Sequence, residues 1–251
     1  MGLFDRFFDK DKRQERRMEN LKKKITNMYV QAQERQFAIQ ELRDTGTTEA
    51  VQVMLARYDD NNPNTLVDAE EKELVYDYLV RMARDPEIDV VGEVKRYVME
   101  KEVKINWPMK VLSDLLSAQE YVAFVVEIFQ AQDTGYQRTT EKKQEMLIRS
   151  TELDEPALAE QIARFVADDN ETIRFLAVDA AFKQSDPTHI GPALLRSVME
   201  EESGRVINKL VPGLLERRDI LVPEEMRDDL MEHLPEGVGI HKDGYLYRRR
   251  R

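Results

Sequence analysis

The chain has 251 residues, 41% of them apolar and 35% charged, and no apolar run approaches the roughly 20 residues that a membrane-spanning helix needs. It contains no cysteine, which excludes disulfides, thiolate catalysis and cysteine-ligated metals, and its 10 glycines and 9 prolines are too few for a turn-dense all-β fold. Net charge is −11, but residues 1–25 carry nine Lys/Arg against five Asp/Glu and residues 242–251 five against one, which leaves residues 26–241 at −19. A body of that sign argues against a duplex-binding surface, because such a surface must release phosphate counterions with a basic stripe.

Met1-Gly2-Leu3-Phe4-Asp5-Arg6-Phe7-Phe8 lacks the long apolar core of a secretory signal, so a cytoplasmic location is expected. Arg6 stands where a myristoylation motif needs Ser or Thr. Leu3, Phe4, Phe7 and Phe8 share a helical face and precede a basic run. Residues 1–25 therefore read as a basic amphipathic helix with two possible uses. It caps a helical core, or residues 1–17 make a weak contact with a membrane surface or partner.

Residues 26–233 carry apolar positions at i, i+3/i+4 and i+7, in segments of 10–16 residues with short polar breaks. Breaks fall at Thr45-Gly46, Asp85-Pro86, Ser117-Ala118, Glu155-Pro156 and Asp186-Pro187. Gly46 to Pro187 spans 141 residues in four intervals, about 35 each. Two helices per interval at that period predict an all-α, right-handed α-solenoid of about six helical hairpins, in which each pair buries its apolar face against its neighbours. Tyr121 to Phe129 is the most apolar helix and reads as core, with Tyr136 beside it. Pro212 should kink or shorten the helix that begins near Arg205.

The stretch Asp168-Asp169-Asn170-Glu171-Thr172-Ile173-Arg174-Phe175-Leu176-Ala177-Val178-Asp179-Ala180-Ala181-Phe182, followed by Asp186-Pro187 and a leucine helix, resembles a HEAT repeat. The match is good over roughly residues 157–217 and reduces to helix spacing over 26–155. The whole chain also resembles bacterial HEAT-repeat proteins that begin Met-Gly-Leu-Phe, carry a mid-chain Trp-Pro (Trp107-Pro108) and end in a basic tail. That resemblance implies an architecture and no activity. It implies that helices 33–43, 69–84, 106–117, 141–152, 170–183 and 205–217 line a concave surface, and that Arg174 ties adjacent repeats through acidic partners.

Residues 234–251 break the helical grammar. Asp243-Gly244, between two β-prone runs, predicts a hairpin with a two-residue type I′ turn, capping the last helix through Val238, Ile240, Tyr245 or Tyr247 and followed by Arg248 to Arg251.

No catalytic constellation emerges. His189, His233 and His241 are too dispersed for a metal site, no phosphate-binding glycine loop or G-x-S-x-G is present, and no cofactor or metal is expected. Tyr76 and Tyr78 flank Asp77 and cannot both face the core; Trp107-Pro108 opens a helix, where the indole serves as a partly buried staple or a binding residue. The expectation is a non-enzymatic, acidic scaffold that binds a partner protein or peptide, of basic character, on a concave face. Its candidate contact residues are Tyr76, Trp107, Lys110, Lys143, Arg149, Arg174 and Asp179. The alternative is a HEAT-like enzyme of DNA-glycosylase or bilin-lyase type, with a local basic patch from Lys110, Lys142, Lys143, Arg149 and Arg174 around Trp107.

Overall fold

The structure, a computed structural model, describes residues 3–249, with side chains from Lys12 onward. The expected roles of Leu3, Phe4, Phe7 and Phe8, and of Arg250 and Arg251, therefore lie outside the described residues. Those described are 68% helical, with thirteen α-helices and one two-stranded antiparallel sheet. None of these helices is long and apolar enough to cross a membrane.

Two compact units divide inside α7 (Ala118–Gln130), after Tyr121. The first contains α1 (Leu3–Thr26), α2 (Ala32–Thr45), α3 (Thr48–Leu55), a 3-10 turn (Ala56–Asp59), α4 (Thr65–Met82), α5 (Val90–Glu100) and α6 (Asn106–Leu115). The second contains α8 (Glu141–Ser150), α9 (Pro156–Phe165), α10 (Glu171–Lys183), α11 (Pro187–Glu200), α12 (Gly204–Glu216), α13 (Arg227–His233), β1 (Val238–Ile240) and β2 (Leu246–Arg248).

Short-range chemistry sets the helix ends. Side chains of Thr47, Asn64, Asp89, Asn170, Asp186 and Ser203 each accept from an amide in the first turn of the helix they precede, supplying partners to donors that the helix leaves free. Ser117 and Glu120 cap each other's amides reciprocally at the start of α7. Gly46, at φ +61°, closes α2 in the left-handed conformation that a side chain would resist.

Within the first unit α2 packs on α4 and α4 on α6, while α1 packs on α3 and α3 on α5. The second unit repeats the alternation, with α10 against α8 and α12, and α11 against α9 and α13. Neighbours in these rows run parallel. Arg35 and Arg43 of α2 meet Glu71 and Tyr78 of α4, early with early and late with late. Between α10 and α12 the same order links Glu171 to Arg205, Asp179 to Lys209 and Phe182 to Gly213. A Cβ at Gly213 would enter the Phe182 ring, so this glycine permits the close approach of the two helices.

Polar bonds lock the rows together. In the first unit Glu71, fully buried, accepts from Arg35 Nε and Arg57 Nε, each at 2.9 Å, and pairs with their Nη2 atoms at 2.8 and 2.9 Å, both guanidinium groups being buried as well. Arg57 reaches on to Asp68 at 2.7 Å and to the Asp60 carbonyl at 2.9 Å, and Lys72 pairs with Asp68 at 2.7 Å. Asp68 is held below the usual carboxylate range: burial acts to raise it, and the bonds from Lys72, the Asn62 amide and Arg57 outweigh burial. In the second unit Gln184 donates to the carbonyls of Ser150 and Leu153, and Arg217 to those of Phe182, Gln184 and Ser185.

Two sequence expectations need correction. The hairpin turn is not a two-residue type I′ turn, since Asp243 has a negative φ and the His241 amide bonds the Tyr245 carbonyl, which encloses a three-residue loop. The Gly244 amide closes back on the His241 carbonyl, and Gly244 takes the positive φ of +99° that such a loop requires. Leu246 and Val238 are the buried strand residues, with β2 against α12 and β1 against α13. Pro212 does not shorten its helix, which runs through it to Glu216. Tyr121, Phe124, Val125, Ile128 and Phe129 of α7 are buried as expected, and Tyr136, beyond the helix, is 82% exposed.

Glu71→Gln should destabilise the protein by about 3–5 kcal/mol, because it removes the countercharge from two buried guanidinium groups. Urea unfolding of the variant against the parent checks this, and a loss below about 1 kcal/mol would show the cluster to be dispensable.

Candidate functional site

Three of the seven candidate residues come together in the first unit. Trp107, Lys110 and Asp114 stand at i, i+3 and i+7 on α6 and so share one face. Lys110 Nζ lies 4.2 Å from the centroid of the Tyr76 ring of α4 and 5.0 Å from that of Trp107. The Tyr76 hydroxyl donates to the Asp114 carboxylate. Tyr76 and Trp107 are half-buried and Lys110 is exposed, while Tyr78, two residues on, is buried; this is the division expected for the Tyr76/Tyr78 pair.

The indole is fixed from below by Tyr58, whose ring lies parallel to it within 5° at 6.2 Å. Tyr58 is buried, and burial pushes its phenol well above the ordinary value. It sits in the 3-10 turn next to Arg57, so the Glu71 cluster sets the position of the aromatic platform. Asp59, the next residue, receives Tyr97 Oη at 2.8 Å, Lys101 Nζ at 2.6 Å and, on its carbonyl, Lys104 Nζ. Tyr97 is pushed far up by burial and by its bond to Asp59.

Tyr76 itself is pushed up to about 12, first by its hydrogen bond to Asp114, then by burial and by the charges of Asp114, Asp77 and Glu73. The carboxylates of Asp114, Asp77 and Glu73 thus act on the half-buried Tyr76 phenol, with Lys110 over its ring. Such a surface attracts cations and does not ionise its own phenol at neutral pH.

The other four candidates lie in the second unit and are engaged in internal pairs. Lys143 is a correction: it is 1% exposed and bonded to Asp168, equally buried, at 2.7 Å, so it cannot meet a partner. Lys142 is buried too. Two of the cations named for the basic patch, Lys142 and Lys143, are therefore buried. Arg149 pairs with Glu145 one turn away at 2.7 Å. Asp179 pairs with Lys209 at 2.5 Å. Arg174 makes a bidentate pair with Glu201 at 2.7 and 2.9 Å and donates to the carbonyls of Asp168 and Asp169. Glu201 is thereby held below its ordinary value; burial acts to raise it, and the bonds from Arg174 and the Ser203 amide prevail. Arg174, on α10, is thereby joined to the turn between α11 and α12.

Arg174 also lines an open cleft of about 490 Å³ with Arg164, Arg196, Asp169, Glu200 and Glu202. Among the described residues no three His, Asp or Glu side chains gather as metal ligands would. No family model, curated protein or solved structure matches this chain.

Sequence reasoning missed Tyr58, Asp114 and a counterpart of the site in the second unit, where Lys209 Nζ lies 4.3 Å and the Arg205 guanidinium 4.1 Å from the centroid of the Phe175 ring. One signal was available. Tyr76 to Lys110 and Phe175 to Lys209 both span 34 residues, one repeat interval, which places an aromatic on one helix beneath a cation from the next helix of the row.

Because the native state favours the neutral phenol, the Tyr76 contribution to stability is complete below the ordinary tyrosine value of 10.0 and is lost as pH rises through about 12. Tyrosinate absorbance of the parent minus that of Tyr76→Phe should show one phenol titrating near 12, and Asp114→Asn should return it towards 10.0. A difference curve centred at 10.0 in the parent would contradict the Tyr76–Asp114 bond.

Proposed function

We propose that each unit is a short HEAT-like stack and that the protein is a non-enzymatic scaffold, or adaptor, that docks a basic segment of a partner protein on the α4–α6 face. The stack reading is supported by the alternation of packing, each helix lying against the second one along the chain, and by the parallel course of neighbours in a row. One observation carries the binding reading. Tyr76 and Trp107 stand half-exposed and side by side on adjacent helices, braced by Tyr58, with Glu73, Asp77 and Asp114 around the phenol.

Rigid aromatic side chains lose little conformational freedom on binding and dominate interface energetics. A rim of carboxylates steers a Lys/Arg-rich chain to them and gives the encounter a salt dependence. Elsewhere the charged side chains named as candidates are held in internal pairs that brace the fold, which leaves this face as the one best prepared for a partner.

Trp107 is the only tryptophan, so its emission reports on the site directly. Titration of the full chain with a panel of Lys/Arg-rich peptides should shift that emission saturably, with affinity falling as salt rises. The double variant Glu73→Lys/Asp77→Lys should weaken binding about tenfold or more, at about 1 kcal/mol per reversed rim charge. An emission shift that neither salt nor charge reversal alters would refute a basic partner at this face.

A further inference from the structure

The outward face of α1 is a run of cations. Between Lys12 and Lys24 there are seven Lys or Arg against two Glu, and all seven basic side chains are exposed. Met18, Leu21 and Ile25 are buried and fasten the helix through α2 and α3, so the basic residues are left on the side facing water. Arg13, Arg16, Arg17 and Lys24 recur at three-, four- and seven-residue spacings and line a shallow cleft of about 350 Å³ with Glu41 of α2. Arg17 is neutralised by Glu41 at 2.8 Å and Lys23 by Glu19 at 2.7 Å, whereas Arg16 and Lys24 make no ion pair among the described residues.

Apolar side chains accompany this stripe. Phe37, one turn before Glu41 on the same side of α2, is 68% exposed, and Tyr29, in the connection between α1 and α2, is fully exposed. In sequence the same helix opens with Leu3, Phe4, Phe7 and Phe8.

We infer that this face of the first unit docks on an anionic lipid bilayer. A helix with a strongly cationic face, flanked by exposed aromatic residues and opening on an apolar segment, has the makeup of a helix that lies in the headgroup layer. Each Lys or Arg near an anionic surface contributes attraction that is lost beyond a Debye length, about 8–10 Å at ordinary ionic strength. The same decay makes the −19 body compatible with a planar bilayer touched on one side. The cleft these cations line is shallow, and its lining holds no aromatic ring on which bases could stack.

The test is cosedimentation of the full chain with vesicles of phosphatidylcholine, with and without phosphatidylglycerol, at low and moderate ionic strength. A duplex DNA oligonucleotide serves as competitor. The expected result is sedimentation with the anionic vesicles only, weakened by salt and little affected by the competitor. Arg16→Glu/Lys24→Glu, at exposed positions outside the ion pairs, should reduce binding at least tenfold while retaining the parent's circular dichroism, and Phe37→Ser should reduce it further. Equal binding to neutral vesicles, no binding to either, or displacement by the duplex would overturn the inference. So would binding that survives the charge reversal.

Discussion

Glu71 is the interaction on which the first unit depends. A carboxylate removed from water is tolerated only with opposite charge and hydrogen bonds on both oxygens, and here two guanidinium groups supply them: Arg35 from α2 and Arg57 from the 3-10 turn. Each of those groups spends its remaining donors on carbonyls and on Asp68. The cluster therefore joins a helix, the next helix of the same row and the irregular segment between them. Three charges of one sign and two of the other are buried or nearly so, and removal of Glu71 deprives two buried guanidinium groups of their shared countercharge.

The site inherits its geometry from that cluster. Arg57, Tyr58 and Asp59 are consecutive: the first is fixed by Glu71, the second forms the floor beneath Trp107, and the third gathers Tyr97, Lys101 and Lys104. A short turn thus transmits the position of a buried ion cluster to a partly exposed indole. Tyr76, held by Asp114, completes a surface in which two aromatic rings keep fixed orientations. Rigid placement of this kind suits recognition, since the ordering of the side chains is complete before a partner arrives.

The second unit achieves cohesion by other means. Lys143–Asp168 is a buried ion pair of this unit, and further ties run from Arg174, Gln184 and Arg217 to backbone carbonyls in the turns between helices. Such bonds satisfy carbonyls that helix ends leave free, so they set the offset of one helical pair on the next. Both units place an aromatic beneath a cation from the following helix of the row, Tyr76 beneath Lys110 and Phe175 beneath Lys209. In the first, a second partly exposed ring, Trp107, stands beside the aromatic.

What the sequence by itself determined is local. The breaks at Gly46, Ser117-Ala118, Glu155-Pro156 and Asp186-Pro187 are helix ends because a left-handed glycine, a reciprocal Ser/Glu cap and prolines at the first helical position act within one turn of chain. The six helix ranges that the resemblance implied begin and end within a few residues of α2, α4, α6, α8, α10 and α12. Burial of charge was decided by tertiary structure alone. Lys143 reads as a surface lysine until Asp168, 25 residues away, is brought to 2.7 Å, and Glu71 reads as one of 49 acidic residues until Arg35 and Arg57 converge on it. The hairpin loop at Gly244 likewise follows from the pairing of His241 with Tyr245, which outweighs the preference of Asp-Gly for a tighter turn. Propensity and capping act over three or four residues and are written in order along the chain. Ion pairs and ring stacks are made between segments that only packing brings together, so no reading of neighbours in sequence contains them.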